Sequence, residues 1–178
     1  MLDVDPSPWV LRFASLVSNS GDVLDIACGT GRHTRLFLAR GHRVVAVDRD
    51  LSGIADLAGH TRLEMVEADL EDETPFPLAG RRFAAVVVTN YLHRPLMPAL
   101  VSALDAGGVF IYETFAAGNE RFGRPKKPRF LLRPGELLDV VRGHLRVIAY
   151  EDMLVDQPSP AAIQRLCAIR ARSAPRPP

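Results

Sequence analysis

Two glycines that directly follow a short apolar run are the residues best able to bring the backbone close to a ligand. Gly29 and Gly31 come after residues 23–26 (VLDI), which have the pattern of a buried strand containing one acid, Asp25. Glycine has no Cβ, so the chain can turn sharply and present its backbone N–H groups at short range. A helical pattern follows and ends just before Gly41, which adds a helix N-terminus at the same place. Strand, turn and helix together predict a cofactor site.

The acid ahead of this turn indicates which kind of cofactor is bound. A phosphate-binding loop requires a lysine after its last glycine, and none follows Gly31. The dinucleotide-binding pattern requires a third small residue where Thr34 stands. A carboxylate at Asp25 would repel a pyrophosphate and attract an ammonium group. We therefore predict a cofactor that carries a positive amino group.

The run of residues 25–31 (DIACGTG) resembles the first motif of class I S-adenosylmethionine-dependent methyltransferases, usually D-x-G-x-G-x-G. Ala27 replaces the first glycine, and we expect a negative φ at this position. Residues 112–125 (YETFAAGNERFGRP) and 131–138 (LLRPGELL) resemble bacterial methyltransferases related to the tellurite-resistance branch. The resemblance implies S-adenosylmethionine as the cofactor and a small molecule as the acceptor.

The resemblance also implies a role for three carboxylates. Asp25 would attract the methionine ammonium, directly or through water. Asp48 ends the second predicted strand, seventeen residues after Gly31, where an acid can accept hydrogen bonds from ribose hydroxyls. Asp69 would bind the adenine amino group, with the neighbouring backbone N–H on a ring nitrogen, although it could also be a solvated acid in an acidic loop. The predicted cofactor-binding residues are Asp25, Ala27, Cys28, Gly29, Gly31, Asp48, Arg49, Asp69, Leu70 and Asn90.

Three polar residues near the ends of the fourth and fifth predicted strands are the candidates for proton transfer: Tyr91, His93 and Glu113. Methyl transfer from a sulfonium depends mainly on positioning, so a soft nucleophile needs no base, whereas a hydroxyl or ammonium acceptor does. Histidine is suited to proton transfer near neutral pH, but a histidine before a helix is also a common structural residue. Tyr91 could pack on the cofactor instead. We predict catalytic roles for these three residues and leave the choice among them open.

A basic, proline-rich loop is predicted at residues 115–133. It holds six positive charges within thirteen residues and no acid between them, namely Arg121, Arg124, Lys126, Lys127, Arg129 and Arg133. The run fits a solvated loop, an arm that closes on an anionic substrate, or an RNA-binding arm. Glu113 lies in an otherwise apolar strand and needs a partner, for which we expect an arginine of this loop, either as a structural ion pair or beside a substrate.

Alternating strand and helix patterns predict an α/β fold with a doubly wound, mostly parallel sheet. An N-terminal helix opening at Ser7 and Pro8 would either cover the sheet or close over the cofactor. The resemblance implies a Rossmann-like sheet of seven strands in the order 3-2-1-4-5-7-6, with the last strand antiparallel and helices on both faces. The predicted strands are residues 23–26, 43–48, 62–68, 83–89, 109–114, 145–150 and 163–171.

Length and composition limit the remaining possibilities. The chain has 178 residues, 47% of them hydrophobic, and a formal net charge of +1, so bulk charge gives no attraction to nucleic acid or to an acidic membrane. Two distant cysteines predict neither a disulfide framework nor a metal site. We expect a single domain over residues 1–172, with an N-terminal helix within 1–20 and a disordered tail at 173–178. We also expect a cytoplasmic bacterial protein, a monomer or homodimer with no membrane partner.

The combined prediction is an S-adenosylmethionine-dependent methyltransferase that acts on a small molecule. Two alternatives remain open: an RNA methyltransferase that uses the arm at 121–133, and a partner subunit that binds S-adenosylmethionine without catalysis. A nicotinamide-linked oxidoreductase is disfavoured by Asp25 and Thr34.

Overall fold

Seven strands form one sheet whose order is β3-β2-β1-β4-β5-β7-β6. The computed structural model describes residues 5–72 and 74–172. Strands β1 to β5 pair in parallel, and β7 runs antiparallel to both β5 and β6. This arrangement confirms the predicted fold. The strands are β1 Val23–Ile26, β2 Val44–Asp48, β3 Leu63–Glu67, β4 Phe83–Thr89, β5 Leu104–Phe115, β6 Arg146–Val155 and β7 Ala161–Ile169.

The helices are short and lie between the strands. In the described residues the α-helices are α1 Pro8–Phe13, α2 Arg32–Ala39, α3 Met97–Ser102 and α4 Glu136–Val141. In the same residues, 3₁₀ segments occupy Ala14–Leu16, Leu51–Leu57, Arg94–Leu96, Asn119–Arg121 and Pro128–Phe130. Ser7 caps α1 as predicted, since its side chain accepts a hydrogen bond from the Trp9 amide. The N-terminal helix was expected to reach residue 20, but the chain becomes extended at Val17, whose side chain enters the core.

The sheet is covered on both faces, which explains the apolar character of its central strands. Six of the seven residues of β4 are buried. Val86 and Val88 enter a core cluster shared with α3 and α4, whereas Ala85 and Val87 enter a second cluster shared with α1 and α2. Because successive side chains of a strand point to opposite faces, a strand buried on both sides has no polar alternation.

Several predicted boundaries differ from the structure. Strand β5 begins at Leu104 rather than 109, because an irregularity lets Leu104 pair with Phe83 before the regular register starts at Val109. Strand β6 ends at residue 155 rather than 150, and β7 begins at residue 161 rather than 163. Both are longer toward the connecting turn because their antiparallel ladder continues almost to it.

Two further observations concern the described residues only. None of their helices has the length and apolar character needed to span a membrane. None of their His, Cys, Asp and Glu side chains form a group of three or more that could hold a metal ion. The predicted disordered tail at 173–178 lies outside the described residues.

Candidate active site

The turn after β1 is built from residues with left-handed backbone conformations. Ala27 has a φ of 52°, Gly29 a φ of 53° and Gly31 a φ of 73°. The expectation of a negative φ at Ala27 was therefore wrong. The Cys28 amide bonds to the Val47 carbonyl at 3.1 Å, and the Gly31 amide bonds to the Cys28 carbonyl at 2.8 Å. These bonds hold the turn in a path that an alanine adopts only at a steric cost.

The turn packs tightly against the 3₁₀ segment that follows β2. A Cβ atom on Gly31 would lie 2.2 Å from the Ile54 Cγ2 atom, and one on Gly53 would lie 2.5 Å from the Gly29 carbonyl oxygen. Side chains at these two positions are therefore excluded by packing, and at Gly31 also by the backbone conformation. Sequence reasoning did not identify Gly53 or Ile54, because their contact with the turn is set by tertiary packing.

Asp25 lies beneath the turn and is only 2% exposed. Its Oδ2 atom accepts a hydrogen bond from the Thr34 hydroxyl at 2.6 Å. Burial raises the pKa of Asp25 to about 6, although hydrogen bonds from Thr34 act in the opposite direction. Because the surrounding protein has a low dielectric constant, a charge on this carboxylate interacts with nearby charges more strongly than a charge on an open surface would.

Asp48 connects the end of β2 to the glycine turn. Its Oδ2 atom accepts a hydrogen bond from the Gly29 amide at 2.8 Å, and its Oδ1 atom accepts one from the Asp50 amide at 3.1 Å. An ionised carboxylate has about four acceptor sites, so each oxygen retains a lone pair for a ligand. Asp50 caps the next segment by accepting a hydrogen bond from the Ser52 amide.

An open cleft of about 370 Å³ lies beyond the carboxyl ends of β1 to β4. The cleft is lined by Ala27, Asp48, Arg49, Ala68, Asp69, Leu70, Glu71, Tyr91 and Phe130. Of the other predicted cofactor-binding residues, Gly29 and Gly31 form the adjacent turn, Cys28 is buried against Ala46 and Ile54, and Asn90 is exposed at the end of β4 with a φ of 55°. Sequence reasoning missed Phe130, which comes from the distant loop.

The three candidate catalytic residues occupy different places. Tyr91 lines the cleft, and its buried hydroxyl has no partner among the described residues. Burial and the nearby charges of Glu71 and Asp69 raise the pKa of Tyr91 above its usual value, so it remains protonated at neutral pH. His93 lines a neighbouring groove of about 210 Å³ that shares Asp69 with the cleft.

Glu113 is held by partners other than those expected. Its Oε1 atom accepts a hydrogen bond from the Ser7 hydroxyl at 2.7 Å, and its Oε2 atom lies 3.3 Å from the Arg165 guanidinium. The expected ion pair with Arg121, Arg124 or Arg129 was wrong. Glu113 and Arg165 face each other across β5 and β7, and this register could not be deduced from the sequence.

Comparisons with known proteins agree with this geometry. The sequence family described as a methyltransferase domain matches residues 23–107, from β1 to the irregular start of β5. Over β1 to β4 and the glycine turn, the chain is therefore similar to the methyltransferase domain. No curated protein matches the sequence.

Solved structures show that this fold recurs at low sequence identity. TehB from Haemophilus influenzae has a TM-score of 0.70 at 17% identity, covering 92% of this chain and 61% of TehB. A methyltransferase from Methanosarcina mazei has a TM-score of 0.70 at 12% identity, covering 95% and 100% of the two chains. The 1,6-didemethyltoxoflavin-N1-methyltransferase of Burkholderia thailandensis has a TM-score of 0.68 at 22% identity, covering 93% and 77%. The chain thus spans less than two thirds of TehB.

The N-terminal segment is anchored beside the ends of β4 and β5. The Ser7 amide donates to the His33 Nε2 atom at 3.1 Å, while the Ser7 hydroxyl donates to Glu113. His33 is 2% exposed, and burial together with the Arg32 charge lowers the pKa of His33 to about 3. A neutral His33 can accept the Ser7 amide bond, so α1 starts next to the glycine turn. Sequence reasoning did not single out His33.

The 115–133 loop is fixed by a partly buried ion pair. The Arg94 guanidinium bonds to both carboxylate oxygens of Glu136, at 2.6 and 2.9 Å, and also donates to the carbonyls of Arg129 and Leu131. Burial alone would raise the pKa of Glu136, but hydrogen bonds from Arg94 and Arg133 lower it to about 2. The loop therefore has a defined path that places Phe130 in the cleft.

Proposed function

We propose that this methyltransferase transfers the methyl group of S-adenosylmethionine to a small-molecule acceptor. The observation that carries the proposal is the cleft, in which three carboxylates, Asp48, Asp69 and Glu71, outnumber one guanidinium, Arg49. Such a lining disfavours a diphosphate and suits a ligand with ribose hydroxyls, an adenine amino group and an ammonium. The B. thailandensis enzyme, whose structure contains 1,6-didemethyltoxoflavin and S-adenosylhomocysteine, supports a small-molecule acceptor by analogy.

The proposed roles of the cleft residues follow from their free hydrogen-bonding groups. Asp48, already oriented by two backbone amides, would accept the ribose hydroxyls. Asp69 has one oxygen on the Glu71 amide and would accept the adenine amino group with the other, while the Leu70 amide would reach a ring nitrogen. Asp25 would attract the ammonium from beneath the turn. Ala27, Cys28, Gly29 and Gly31 would support the methionine portion through their backbone, with Arg49 and Asn90 at the rim.

The side chains near the cleft favour catalysis by positioning. Bound S-adenosylmethionine supplies a methyl group on a sulfonium, which is already an excellent leaving group. Tyr91 stays protonated, and Glu113 is engaged by Ser7 and Arg165. We propose that the acceptor atom carries an available lone pair, as in a thiolate, a carboxylate or a neutral amine. If a base is required, His93 is our candidate, approached from the adjoining groove.

Calorimetry tests the proposal at its first step. S-adenosylmethionine and S-adenosylhomocysteine should bind with one site per chain, and NADH should not bind. Release of S-adenosylhomocysteine in the presence of a small-molecule acceptor would then demonstrate turnover. Binding of NADH without S-adenosylhomocysteine would overturn the proposal, and cofactor binding with turnover only on RNA would favour the RNA alternative. The cytoplasmic location, the bacterial origin and the monomeric or homodimeric state stay predictions.

A further inference from the structure

The six cations of the 115–133 loop fall into two groups. Three have partners: Arg121 donates to the Gly118 carbonyl and lies over Phe122, the guanidinium of Arg129 lies 4.6 Å from the ring centroid of Phe130, and Arg133 bonds to Glu136. The other three are Arg124, Lys126 and Lys127. Among the described residues, nothing forms an ion pair or a hydrogen bond with the charged groups of these three.

The three unpartnered cations line one open pocket. This pocket, here named the loop pocket, has a volume of about 610 Å³ and is lined by Arg124, Pro125, Lys126, Lys127 and Phe130. The volume lies within the usual range of small-molecule sites. Phe130 also lines the cofactor cleft, so its ring is a shared wall between the two spaces. A ligand in the loop pocket would therefore lie beside the cofactor.

The backbone holds these cations together rather than leaving them on a flexible arm. Asn119 is 1% exposed, its amide group donates to the Pro125 carbonyl, and its oxygen accepts from the Ala162 amide. At the other end of the loop, Arg94 binds the Arg129 and Leu131 carbonyls. Keeping three like charges close together is unfavourable unless an anion neutralises them. A fixed backbone with uncompensated charge is the arrangement expected of a preorganised anion site.

We propose that the loop pocket binds the acceptor, and that the acceptor is an organic anion with a flat apolar body. Pro125 and Phe130 would contact the apolar body, while Arg124, Lys126 and Lys127 would surround a carboxylate, sulfate or phosphate group. This inference rests on the proposed function. RNA is disfavoured because the three charges lie within four residues around one pocket, whereas a single strand requires a longer basic groove with several stacking platforms.

The experiment uses the full chain saturated with S-adenosylhomocysteine. Benzoate and phenyl phosphate serve as anionic probes and benzamide as the neutral counterpart, with binding followed by amide chemical shifts. The test variant is R124Q/K126Q/K127Q. The control variant, R40Q/R82Q/R146Q, removes three exposed cations that line neither the cleft nor the loop pocket, so both variants change the formal net charge from +1 to −2. S-adenosylhomocysteine affinity is measured separately for each protein.

The proposal predicts that both anions shift the amides of the non-proline residues within 124–130 and bind at least about tenfold more tightly than benzamide. The test variant should lose at least about tenfold in anion affinity, and the control should change by less than about twofold. S-adenosylhomocysteine affinity should be the same in all three proteins. Equal binding of benzoate and benzamide, or unchanged anion affinity in the test variant, would overturn the proposal.

Two other outcomes separate this inference from the proposed function. If S-adenosylhomocysteine fails to bind the unmodified chain, the proposed function fails, whatever the loop pocket does. In the second outcome, S-adenosylhomocysteine binds normally but the aryl anions do not. If a short single-stranded RNA then binds with a steep salt dependence that the test variant abolishes, the loop binds RNA and the proposal is wrong.

Discussion

Asp25 is a carboxyl group kept inside the protein, directly beneath the turn that would hold the methionine portion of the cofactor. It is 2% exposed, and burial raises its pKa to about 6 from an ordinary value of 3.8. A folded-state pKa above the unfolded one means that the ionised group destabilises the fold at neutral pH, and that this cost disappears as pH falls from about 6 to about 4. Such a cost is understandable if the charge serves cofactor binding.

Replacing Asp25 with asparagine should separate stability from binding. Asparagine is neutral and can still accept the Thr34 hydrogen bond, so we expect the free energy of unfolding at pH 8 to rise by about 1–2 kcal/mol. S-adenosylhomocysteine affinity should fall by about tenfold. Urea denaturation and calorimetry measure the two quantities. Asp156→Asn, at an exposed position, is the control. Unchanged cofactor affinity in Asp25→Asn would contradict the ammonium role.

Ala27 provides a second prediction at the scale of a single residue. Its φ of 52° is costly for alanine and free for glycine, so Ala27→Gly should raise the free energy of unfolding by about 0.5–1 kcal/mol after the entropy of the unfolded chain is included. Ala58, which has an ordinary φ of −55°, provides the control. Ala58→Gly should lower the free energy of unfolding by a similar amount. Urea denaturation distinguishes the two. Equal destabilisation by both changes would show that Ala27 is not strained.

At the scale of elements, the site depends on two segments that pack against the sheet's carboxyl edge. The glycine turn rests on the 3₁₀ segment Leu51–Leu57, with Asp48 as the link between them. The 115–133 loop rests on α4 and the 3₁₀ turn Arg94–Leu96 through the Arg94–Glu136 ion pair. Both contacts join parts of the chain that are distant in sequence, so each can be tested by breaking one partner.

The contact between the turn and the Leu51–Leu57 segment predicts a strong coupling. Gly31→Ala places a Cβ atom 2.2 Å from Ile54 Cγ2 and should lower the free energy of unfolding by about 2–4 kcal/mol. Ile54→Ala should cost about 2–5 kcal/mol through the cavity that it leaves. The double variant should lose less stability than the sum of the two single changes, by about 1 kcal/mol or more, because the cavity left by Ile54 accepts the new methyl group. Additive costs in urea denaturation would contradict the packing described.

The ion pair at Glu136 predicts a change in loop protection. Glu136→Gln removes the charge that binds Arg94, so trypsin should cleave faster after Arg121, Lys126 and Arg129. Because the folded-state pKa of Glu136 is about 2, below its ordinary value of 4.5, its stabilisation is complete above about pH 4.5 and is lost as pH falls toward 2. The free energy of unfolding of Glu136→Gln should therefore fall less than that of the unmodified protein as the pH is lowered from about 4.5 to about 2.

Asp139→Asn is the matched control for the Glu136 variant. Asp139 lies on the same helix and pairs with Arg142, but both side chains are largely exposed, at 68% and 76%, so the pair contributes little. Digestion should proceed at the wild-type rate in this control. Equal protection of the loop in Glu136→Gln and Asp139→Asn would show that the buried ion pair does not hold the loop.

At the scale of the whole molecule, the net charge is only +1, but negative and positive side chains are concentrated on opposite sides of the candidate site. The cofactor cleft carries Asp48, Asp69 and Glu71, while the loop pocket carries three cations, and Phe130 stands between them. A cationic cofactor and an anionic acceptor would each be drawn to their own side. The same division would hold the reacting groups next to each other without a side-chain base.

The fold could be predicted from the sequence further than the site could. β4 was predicted at its observed bounds because a doubly buried strand leaves an uninterrupted apolar run, and the start of α1 at Ser7 was recognised from local chemistry. The partner of Glu113 and the position of Phe130 were not predictable in this way. Both depend on strand register and on a long loop's path, which local sequence does not encode.

The most direct measurement of the central claim is a crystal structure of the full chain with S-adenosylhomocysteine. The account predicts ribose hydroxyls on the Asp48 carboxylate, the adenine amino group at Asp69, and the amino group of the homocysteine portion above Asp25. The sulfur should point toward the ends of β4 and β5, with Phe130 close by. A ligand bound away from the cleft, or a homocysteine portion turned away from the glycine turn, would contradict the account.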